Sequence, residues 1–484
     1  MPTFWPTLLT WLLFLGAHAL SWGAIIHALL HKRDPRSALG WTVTALFLPG
    51  VGALIYFIFG IGRAESRAAR LMRVAGVPAA SDRSLHGGPR PCAPPGDLSA
   101  EALPLAMRRK AHLGRTLTGR RLAGGNNLTP LYDGEQAYPV MLNAIHTAQH
   151  HVFMTTYIFK GGIIGEEFIQ ALSAAAARNV DVRLIIDGLG GTLYSWTRPW
   201  RVLKKKGVKV AQFLPPSLDP FNLSVNLRNH RKVLVCDGTG FTGGMNIADE
   251  NWYKSPKFSV QDIHFCCQGP IVAQLQEAFL LDWGFISGVY EQSSPMHSQH
   301  SGAALCRMVL DGPGSGKDPL HDLYCGSIAT AERSVCIMTP YFLPTHEMIA
   351  SLKTAALHGA CVRIIMPAKN NLRYVQWASW HLLPQLIEAG VEFYLRPAPF
   401  AHTKLLIIDT DYTQVGSANL DPRSLRLNFE LNIECFDPTL ALQLNTHFEN
   451  VRQSSQPIDL EYLQARPLLY KIRNAACWIF SPYL

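Results

Sequence analysis

His230-Arg231-Lys232-Val233-Leu234-Val235-Cys236-Asp237, followed by Gly243-Gly244-Met245-Asn246, returns as His402-Thr403-Lys404-Leu405-Leu406-Ile407-Ile408-Asp409, followed by Gly416-Ser417-Ala418-Asn419. Both copies obey His-x-Lys-x4-Asp and then Gly-(Gly/Ser)-x-Asn. One copy alone means little, because His-x-Lys on a strand is common. Two copies with a matched Asn are not coincidence, since each fixed residue arises by chance about one time in twenty. The apolar run after each Lys reads as a buried strand. In the extended stretch from His to Lys, the alternation of side chains sends both to one face, so imidazole and ammonium point together into one cavity.

Outward from the motif, the rest of the chain beyond residue 128 repeats as well. Thr155-Thr156-Tyr157-Ile158-Phe159 returns as Thr339-Pro340-Tyr341-Phe342-Leu343. Val180-Asp181-Val182-Arg183-Leu184-Ile185-Ile186 returns as Ala360-Cys361-Val362-Arg363-Ile364-Ile365-Met366, and Gly207-Val208-Lys209-Val210 as Gly390-Val391-Glu392-Phe393. Helix-like stretches separate these strands, which argues an α/β core built from two similar halves in tandem.

The duplicated pattern resembles the phospholipase D superfamily over residues 125–484. A narrower resemblance, to bacterial cardiolipin synthases, rests on Leu227-Arg228-Asn229-His230-Arg231-Lys232, Asp311-Gly312-Pro313-Gly314, Leu420-Asp421-Pro422-Arg423-Ser424, Leu427-Asn428-Phe429-Glu430, the apolar N-terminus and the ending Phe480-Ser481-Pro482-Tyr483-Leu484. It implies two tandem phospholipase D-like halves, mixed β-sheets flanked by helices, forming one catalytic body behind a transmembrane helical hairpin. The expected division is 1–62 for the membrane hairpin, 63–125 for a basic juxtamembrane segment and linker, 126–300 for the first half, and 301–484 for the second with a C-terminal amphipathic segment. The first copy departs slightly. Five residues rather than the usual six separate Asp237 from the Gly pair, as in a shorter hairpin, which bears on Asn246 more than on Asn419.

The residue types suit phosphodiester chemistry. An anionic phosphodiester repels nucleophiles, so a site needs cations on its oxygens, a nucleophile, and a proton donor for the leaving alkoxide. Lys232 and Lys404 are the candidate cations; Asn246, Ser417 and Asn419 are candidate donors to the phosphate oxygens. One neutral His would attack phosphorus to give a phosphohistidine, and one protonated His would give its proton to the departing hydroxyl. The resemblance assigns the first role to His230 and the second to His402, which then acts as base on the incoming alcohol. It also implies that Asp262 and Glu430 hold the imidazoles, an ordinary salt bridge being the alternative at each. Asp237 and Asp409 complete the catalytic motif and are expected to brace it through backbone hydrogen bonds rather than to carry protons. No cluster has metal-ligand spacing, and the Lys/His chemistry calls for no metal or other cofactor.

Composition places this chemistry at a membrane. Only 16% of the 484 residues are charged, against roughly 25% in soluble domains. The formal charge of +9 is an N-terminal property: residues 1–125 hold fifteen Lys/Arg and five Asp/Glu, leaving a net −1 for the rest. Leu8 to Leu30 and Ser37 to Gly62 carry no Asp, Glu, Lys or Arg, and each is long enough to cross ~30 Å of hydrocarbon. Pro49 and Gly50 in the second run predict a kink or a re-entrant turn there. Residues 74–105 read as a Pro/Gly-rich linker. Arg108, Arg109, Lys110, Arg115, Arg120 and Arg121 follow as a basic stretch, either on the membrane surface or on a solvated helix face. Pro467 to Leu484 is either a monotopic membrane contact or an amphipathic helix on the core. Ten cysteines without framework spacing fit a reducing compartment, which favours a cytoplasmic catalytic region of a multi-pass bacterial inner-membrane protein.

The resemblance therefore implies a phosphatidyltransferase that joins two phosphatidylglycerol molecules into cardiolipin with release of glycerol. An anionic phospholipid membrane is its expected partner, and the sequence names no protein partner. The alternative is a membrane-bound phospholipase D or other phosphodiesterase or nuclease with water as acceptor. A nuclease would be expected to carry a basic face with interleaved aromatics, and a catalytic region of net −1 argues against it, so no nucleic acid partner is expected.

Overall fold

A computed structural model describes residues 4–32, 35–60, 103–195, 197–215, 227–291, 300–312 and 318–481. The linker expected over 74–105, but for its last three residues, and the arginines from Arg63 to Arg90 lie outside the described residues, as do Pro313-Gly314 and Pro482 to Leu484.

Each half places its strands in the same order. In the first, β1 (Ala123–Tyr132), β2 (His151–Thr156), β3 (Asp181–Asp187), β4 (Lys209–Phe213), β5 (Val233–Cys236), β6 (Thr239–Gly243) and β8 (Ile263–Gln268) line up as β1-β8-β6-β5-β2-β3-β4, with the short β7 (Val260–Gln261) outside the row. The second half repeats this with β9 (Ala304–Asp311), β10 (Ser334–Met338), β11 (Cys361–Pro367), β12 (Glu392–Arg396), β14 (Leu405–Ile408), β15 (Tyr412–Gly416) and β16 (Glu430–Phe436) in the order β9-β16-β15-β14-β10-β11-β12, closed by β17 (Gln456–Ile458). The short β13 (Phe400–Ala401) pairs with β7 across the halves. The runs β2-β3-β4 and β10-β11-β12 are parallel, joined through crossover helices, and their neighbours are antiparallel.

The halves were expected as tandem sheets. They form one: β1 pairs antiparallel with β9, and the result is a single fifteen-stranded mixed sheet. The expected boundary at 125/126 falls inside β1. Two outer cores belong to one half each, and a third is shared between them, with Phe213 stacked on Phe285 at 5.1 Å and meeting Phe429 of the other half edge-on at 5.0 Å.

The basic stretch divides: Arg108, Arg109, Arg115 and Arg121 lie exposed, whereas Lys110 and Arg120 are engaged by the body of the protein. Helix Leu105–Thr118 packs on the second half, its Lys110 fully buried with Nζ 3.3 Å from Asp409. Arg120 makes a two-pronged ion pair with Glu277 at 2.7 and 2.8 Å. Arg307 and Glu434, paired inside the sheet, tie this helix down further, because Arg307 also donates to the Ala111 and Arg120 carbonyls.

At the N-terminus, helix Phe4–His31 runs 28 residues, about 42 Å at 1.5 Å per residue, and its stretch Leu9–His31 is long and apolar enough to cross a bilayer. Among the described residues it is the one helix that meets this length and composition. The second apolar run is interrupted where Pro49 and Gly50 predict it. Helix Pro35–Phe47 ends in a turn, Gly50 adopts φ 77°, and a new helix starts at Val51 before a wider turn at Tyr56–Gly60. The Gly50 N–H donates to Ser21 Oγ at 3.0 Å, and the Tyr56 hydroxyl meets His27 Nδ1 at 2.8 Å, so the broken run is pinned back onto the long helix. C-terminal helix Leu468–Ile479 packs on helix Arg373–Ile387, and Arg36 lies over the Trp478 ring at 4.7 Å.

Candidate active site

The two His-x-Lys segments sit immediately before β5 and β14, the strands at the middle of each half, where apolar side chains on both faces lock their register. Each segment docks on the opposite half. The His230 N–H donates to the Phe429 carbonyl at 2.9 Å, and Phe429 N–H returns a bond to Arg228 at 2.8 Å. The His402 N–H donates to the Gln261 carbonyl at 2.8 Å, next to the β7–β13 pairing. An approximate two-fold thus places the two motifs face to face.

The expected orienting carboxylates are here, and they are exchanged. His230 Nδ1 lies 2.9 and 3.1 Å from the two Glu430 oxygens, and His402 Nδ1 lies 2.8 Å from Asp262 Oδ2. Both carboxylates are buried. With each Nδ1–H given to a carboxylate, Nε2 is left as the nitrogen with a lone pair. Lys232 Nζ donates to the His230 carbonyl at 2.7 Å, and Lys404 Nζ donates to the His402 carbonyl. Lys404 Nζ is also 3.0 Å from His402 Nδ1, but an Nδ1 that donates to Asp262 cannot accept as well.

Burial dominates the electrostatics. It pulls both imidazoles down, His230 below its ordinary range despite Glu430 beside it, and His402 to about 4 with the Lys404 ammonium adding to the effect. It pulls Lys232 down to about 7 and Lys404 to about 8. Glu430 moves the other way from what burial alone would give, because His230 and Lys232 hold it below the usual carboxylate range. Two lysines and two carboxylates balance when both imidazoles are neutral, and a phosphodiester monoanion entering between them would raise the burial-lowered pKa of both lysines and both imidazoles together.

Asp237 and Asp409 lie at the far ends of β5 and β14, a strand's length from the imidazoles. Asp237 accepts the backbone N–H groups of Gln149, His150 and His151 at 2.8, 3.1 and 2.9 Å. Asp409 accepts those of Glu332, Arg333 and Ser334 at 3.1, 2.7 and 3.2 Å. In both copies the carboxylate is thus bonded to the backbone that precedes the neighbouring strand. The one-residue difference between the copies is confined to the hairpin turns: Cys236 pairs with Thr239 but Ile408 with Tyr412. Asn246 and Asn419 therefore stay equivalent, following the matched β-bridges Phe159–Ile247 and Phe342–Leu420. Asn246 Oδ1 accepts from Ile158 N–H at 3.1 Å, and Asn419 Nδ2 donates to Ser424 Oγ at 3.2 Å.

Ser417 is placed differently from expectation. It is fully buried and donates its hydroxyl proton to Glu430 at 2.5 Å, so it holds the carboxylate that holds His230 rather than reaching phosphate. The copy difference Gly244/Ser417 follows from side-chain length. A Cβ at Gly244 would come 2.2 Å from Asp262 Oδ2, so the shorter carboxylate of the first half needs that space, while the longer Glu430 leaves room for a hydroxyl.

Four further residues support the site. Asp282 accepts from Asn229 Nδ2 at 2.8 Å and pairs with Arg231, whose Nε donates to the Glu430 carbonyl at 3.1 Å. Asn229 and Arg231 flank His230 in the motif and could have been picked from it; Asp282, in helix Ile271–Ser287, could not. Tyr157, at the repeated Thr-x-Tyr, packs its ring edge-on to His230 at 5.3 Å and lies under Lys232 Nζ at 5.7 Å.

Residues 141–283 and 324–452 match the family model described as cardiolipin synthase, PLD-like domain, and residues 19–60 match one described as phospholipase D-nuclease N-terminal. The chain is 31% identical over 467 residues to a cardiolipin synthase of Halalkalibacterium halodurans, covering 94% of this chain and 90% of that one. It is also 31% identical over 476 residues to a major cardiolipin synthase of Bacillus subtilis, covering 95% and 96%. Among solved structures, a phosphatidylserine synthase of Haemophilus influenzae superposes with a TM-score of 0.58 at 16% identity, over 74% of this chain and 95% of that one, a likeness of fold.

Proposed function

The chain belongs to the cardiolipin synthase family of phospholipase D-like proteins, and from that premise we propose that it transfers a phosphatidyl group from one phosphatidylglycerol to the glycerol headgroup of a second, giving cardiolipin and free glycerol. It is a phospholipid phosphatidyltransferase of the membrane. The observation that carries the reading is the exchanged pair of His–carboxylate contacts, which leaves two Nε2 atoms to serve one phosphodiester.

His230, with Nδ1–H on Glu430, attacks phosphorus through Nε2 while Lys232 and Lys404 neutralise the phosphate oxygens, with Asn246 and Asn419 nearby. Binding of the anion raises His402, which takes up a proton and gives it to the departing glycerol oxygen as the P–O bond breaks. Phosphatidyl-His230 and neutral His402 remain. His402 Nε2 then accepts the proton of the second headgroup's hydroxyl, that oxygen attacks phosphorus, and His230 leaves as the free imidazole.

Leu9–His31 anchors this unit in the bilayer that holds its substrate. The bent second run is read as returning the chain to the side of the N-terminus, and the cytoplasmic side is supported by nine free cysteines among the described residues. Residues 126–300 and 301–484 act together, since each contributes half of both His–carboxylate pairs.

Mass spectrometry of the products that purified enzyme makes from phosphatidylglycerol alone tests the reading. Cardiolipin with free glycerol is expected. Phosphatidic acid alone would assign water as the acceptor, and no turnover would assign a different donor.

A further inference from the structure

Beside His402 lies an open groove of about 430 Å³ that the chemistry above does not use. Its walls come from both halves: Phe258 and Ser259 from the segment before β7, Pro367 at the end of β11 with Lys369 just beyond it, and Arg396 with Phe400 from the segment that leads into the second motif. Phe400 is shared with the catalytic centre, its ring centroid 5.9 Å from that of His402 and its N–H bonded to the Ser259 carbonyl at 2.8 Å. Gln261 links the two as well. Its backbone carbonyl accepts from His402, and its side-chain oxygen accepts from Arg396. The Ala368 N–H donates to the Arg396 carbonyl at 2.7 Å, which keeps Lys369 on the same rim.

The groove thus carries two cations, and among the described residues neither has a carboxylate within ion-pair distance. Lys369 is exposed, and Arg396 is only half-buried, with a single hydrogen bond to neutral Gln261. Asp133 acts on Arg396 electrostatically, yet burial still pulls the guanidinium below its usual range. Two cations without a carboxylate partner around a cavity that shares its Phe400 wall with a catalytic His make a site for an anion, and a planar guanidinium suits phosphate.

The transfer reaction has a second anion to place. In phosphatidylglycerol the attacking hydroxyl is joined to its own phosphodiester by a three-carbon bridge, so two phosphates must approach to within one glycerol of each other. Lys232 and Lys404 serve the reacting phosphate. We propose that Lys369 and Arg396 bind the phosphodiester of the acceptor lipid, holding its free glycerol hydroxyl against His402. The proposal rests on the phosphatidyltransferase reading and adds to it the residues that distinguish a lipid acceptor from water or free glycerol.

Exchange of labelled glycerol into phosphatidylglycerol uses the same donor, the same histidines and an acceptor with no phosphate. The test is the ratio of cardiolipin formed to glycerol exchanged, measured in phosphatidylglycerol mixed micelles for Lys369→Gln, Lys369→Arg, Arg396→Gln and the double Gln variant. The expected result is a fall of at least tenfold in the ratio for the double variant, a smaller fall for each single Gln variant, and retention of the ratio in Lys369→Arg. A ratio equal to that of the unaltered enzyme, whether both rates fall or neither does, would overturn the proposal. Adding inorganic phosphate separates the two sources of a phosphate anion: stimulation of glycerol exchange by free phosphate, lost in the double variant, would assign the groove to phosphate itself and overturn the lipid assignment. If the unaltered enzyme exchanges glycerol and makes no cardiolipin, the phosphatidyltransferase reading has failed and this proposal falls with it; if it makes cardiolipin and the ratio does not move, the groove assignment alone has failed.

Discussion

His230 takes its orienting carboxylate from Glu430, two hundred residues away and in the other half of the chain, and His402 takes its own from Asp262 in return. Neither half therefore holds a complete His–carboxylate pair. Swapping one carboxylate for its amide leaves the shape in place and removes the charge that supports an imidazole during its turn as nucleophile or acid.

Glu430→Gln is expected to lower kcat by about 10²- to 10⁴-fold, the range of a general acid–base contribution, with little change in KM. Steady-state kinetics of cardiolipin formation check it. A variant with near-normal kcat would reduce Glu430 to an ordinary buried ion-pair partner.

The two histidines are not interchangeable. Rapid quenching followed by intact-protein mass spectrometry is expected to trap a phosphatidyl adduct in the unaltered enzyme and none in His230→Ala. In His402→Ala the adduct forms slowly and persists, because the base for the incoming alcohol is gone. An adduct retained in His230→Ala would move the nucleophile to His402.

The depressed lysines set the alkaline side of the pH profile. kcat/KM reports the free enzyme, in which Lys232 loses its proton near pH 7 and Lys404 near pH 8. Both must be protonated to neutralise phosphate, and His402, held at about 4 in the free enzyme, must take up a proton as well, so kcat/KM is expected to fall with rising pH already below pH 7 and to fall more steeply through the lysine window. On the acid side His230 must be neutral and is held below its ordinary value, so its protonation limits kcat/KM only on the acid side of pH 6.5. Lys232→Arg keeps a charge at all accessible pH values and is expected to move the alkaline limb up to that of Lys404. An unmoved limb would place the titration elsewhere.

Phosphate neutralisation by Lys232 and Lys404 and proton transfer by His402 leave no step for a metal. Activity is expected to survive prolonged chelation, and loss with a chelator followed by recovery on adding a divalent cation would refute the mechanism.

The contact between Lys110 and Asp409 is expected to matter for stability rather than chemistry. Lys110→Ala removes the cation but leaves Asp409 on its three backbone N–H groups, so the cost is about 1–3 kcal/mol rather than that of a bare buried charge. Thermal or urea unfolding reads it, with kcat for the folded fraction unchanged.

Much of this site is legible from sequence because the chain writes it twice. The His-x-Lys segments, the apolar strands behind them and the break at Pro49-Gly50 all announce themselves through local chemistry. The exchange of Glu430 and Asp262 does not, since spacing places both at similar distances after their own motifs, and only the docking of Phe429 and Gln261 across the halves decides the pairing. Ser417 reads as a phosphate donor beside Asn419. Its burial against Glu430 depends on the length of a side chain thirteen residues further on. Lys110 reads as surface charge in a basic run, and its partner lies 299 residues away. Lys369 and Arg396 belong to no motif and acquire meaning only when the fold sets them on one rim.

The seam between β1 and β9 has a consequence for how the protein avoids sticking to itself. The two outermost strands of the sheet are poor templates for another chain: β17 has three residues with Pro457 at its centre, and β4 begins with an exposed lysine, Lys209. The strands at the seam are longer, β1 running ten residues and β9 eight, and β9 is buried along most of its length. A half produced alone would offer that long bare edge to its neighbours, and self-association in place of folding is the expected fate of either fragment.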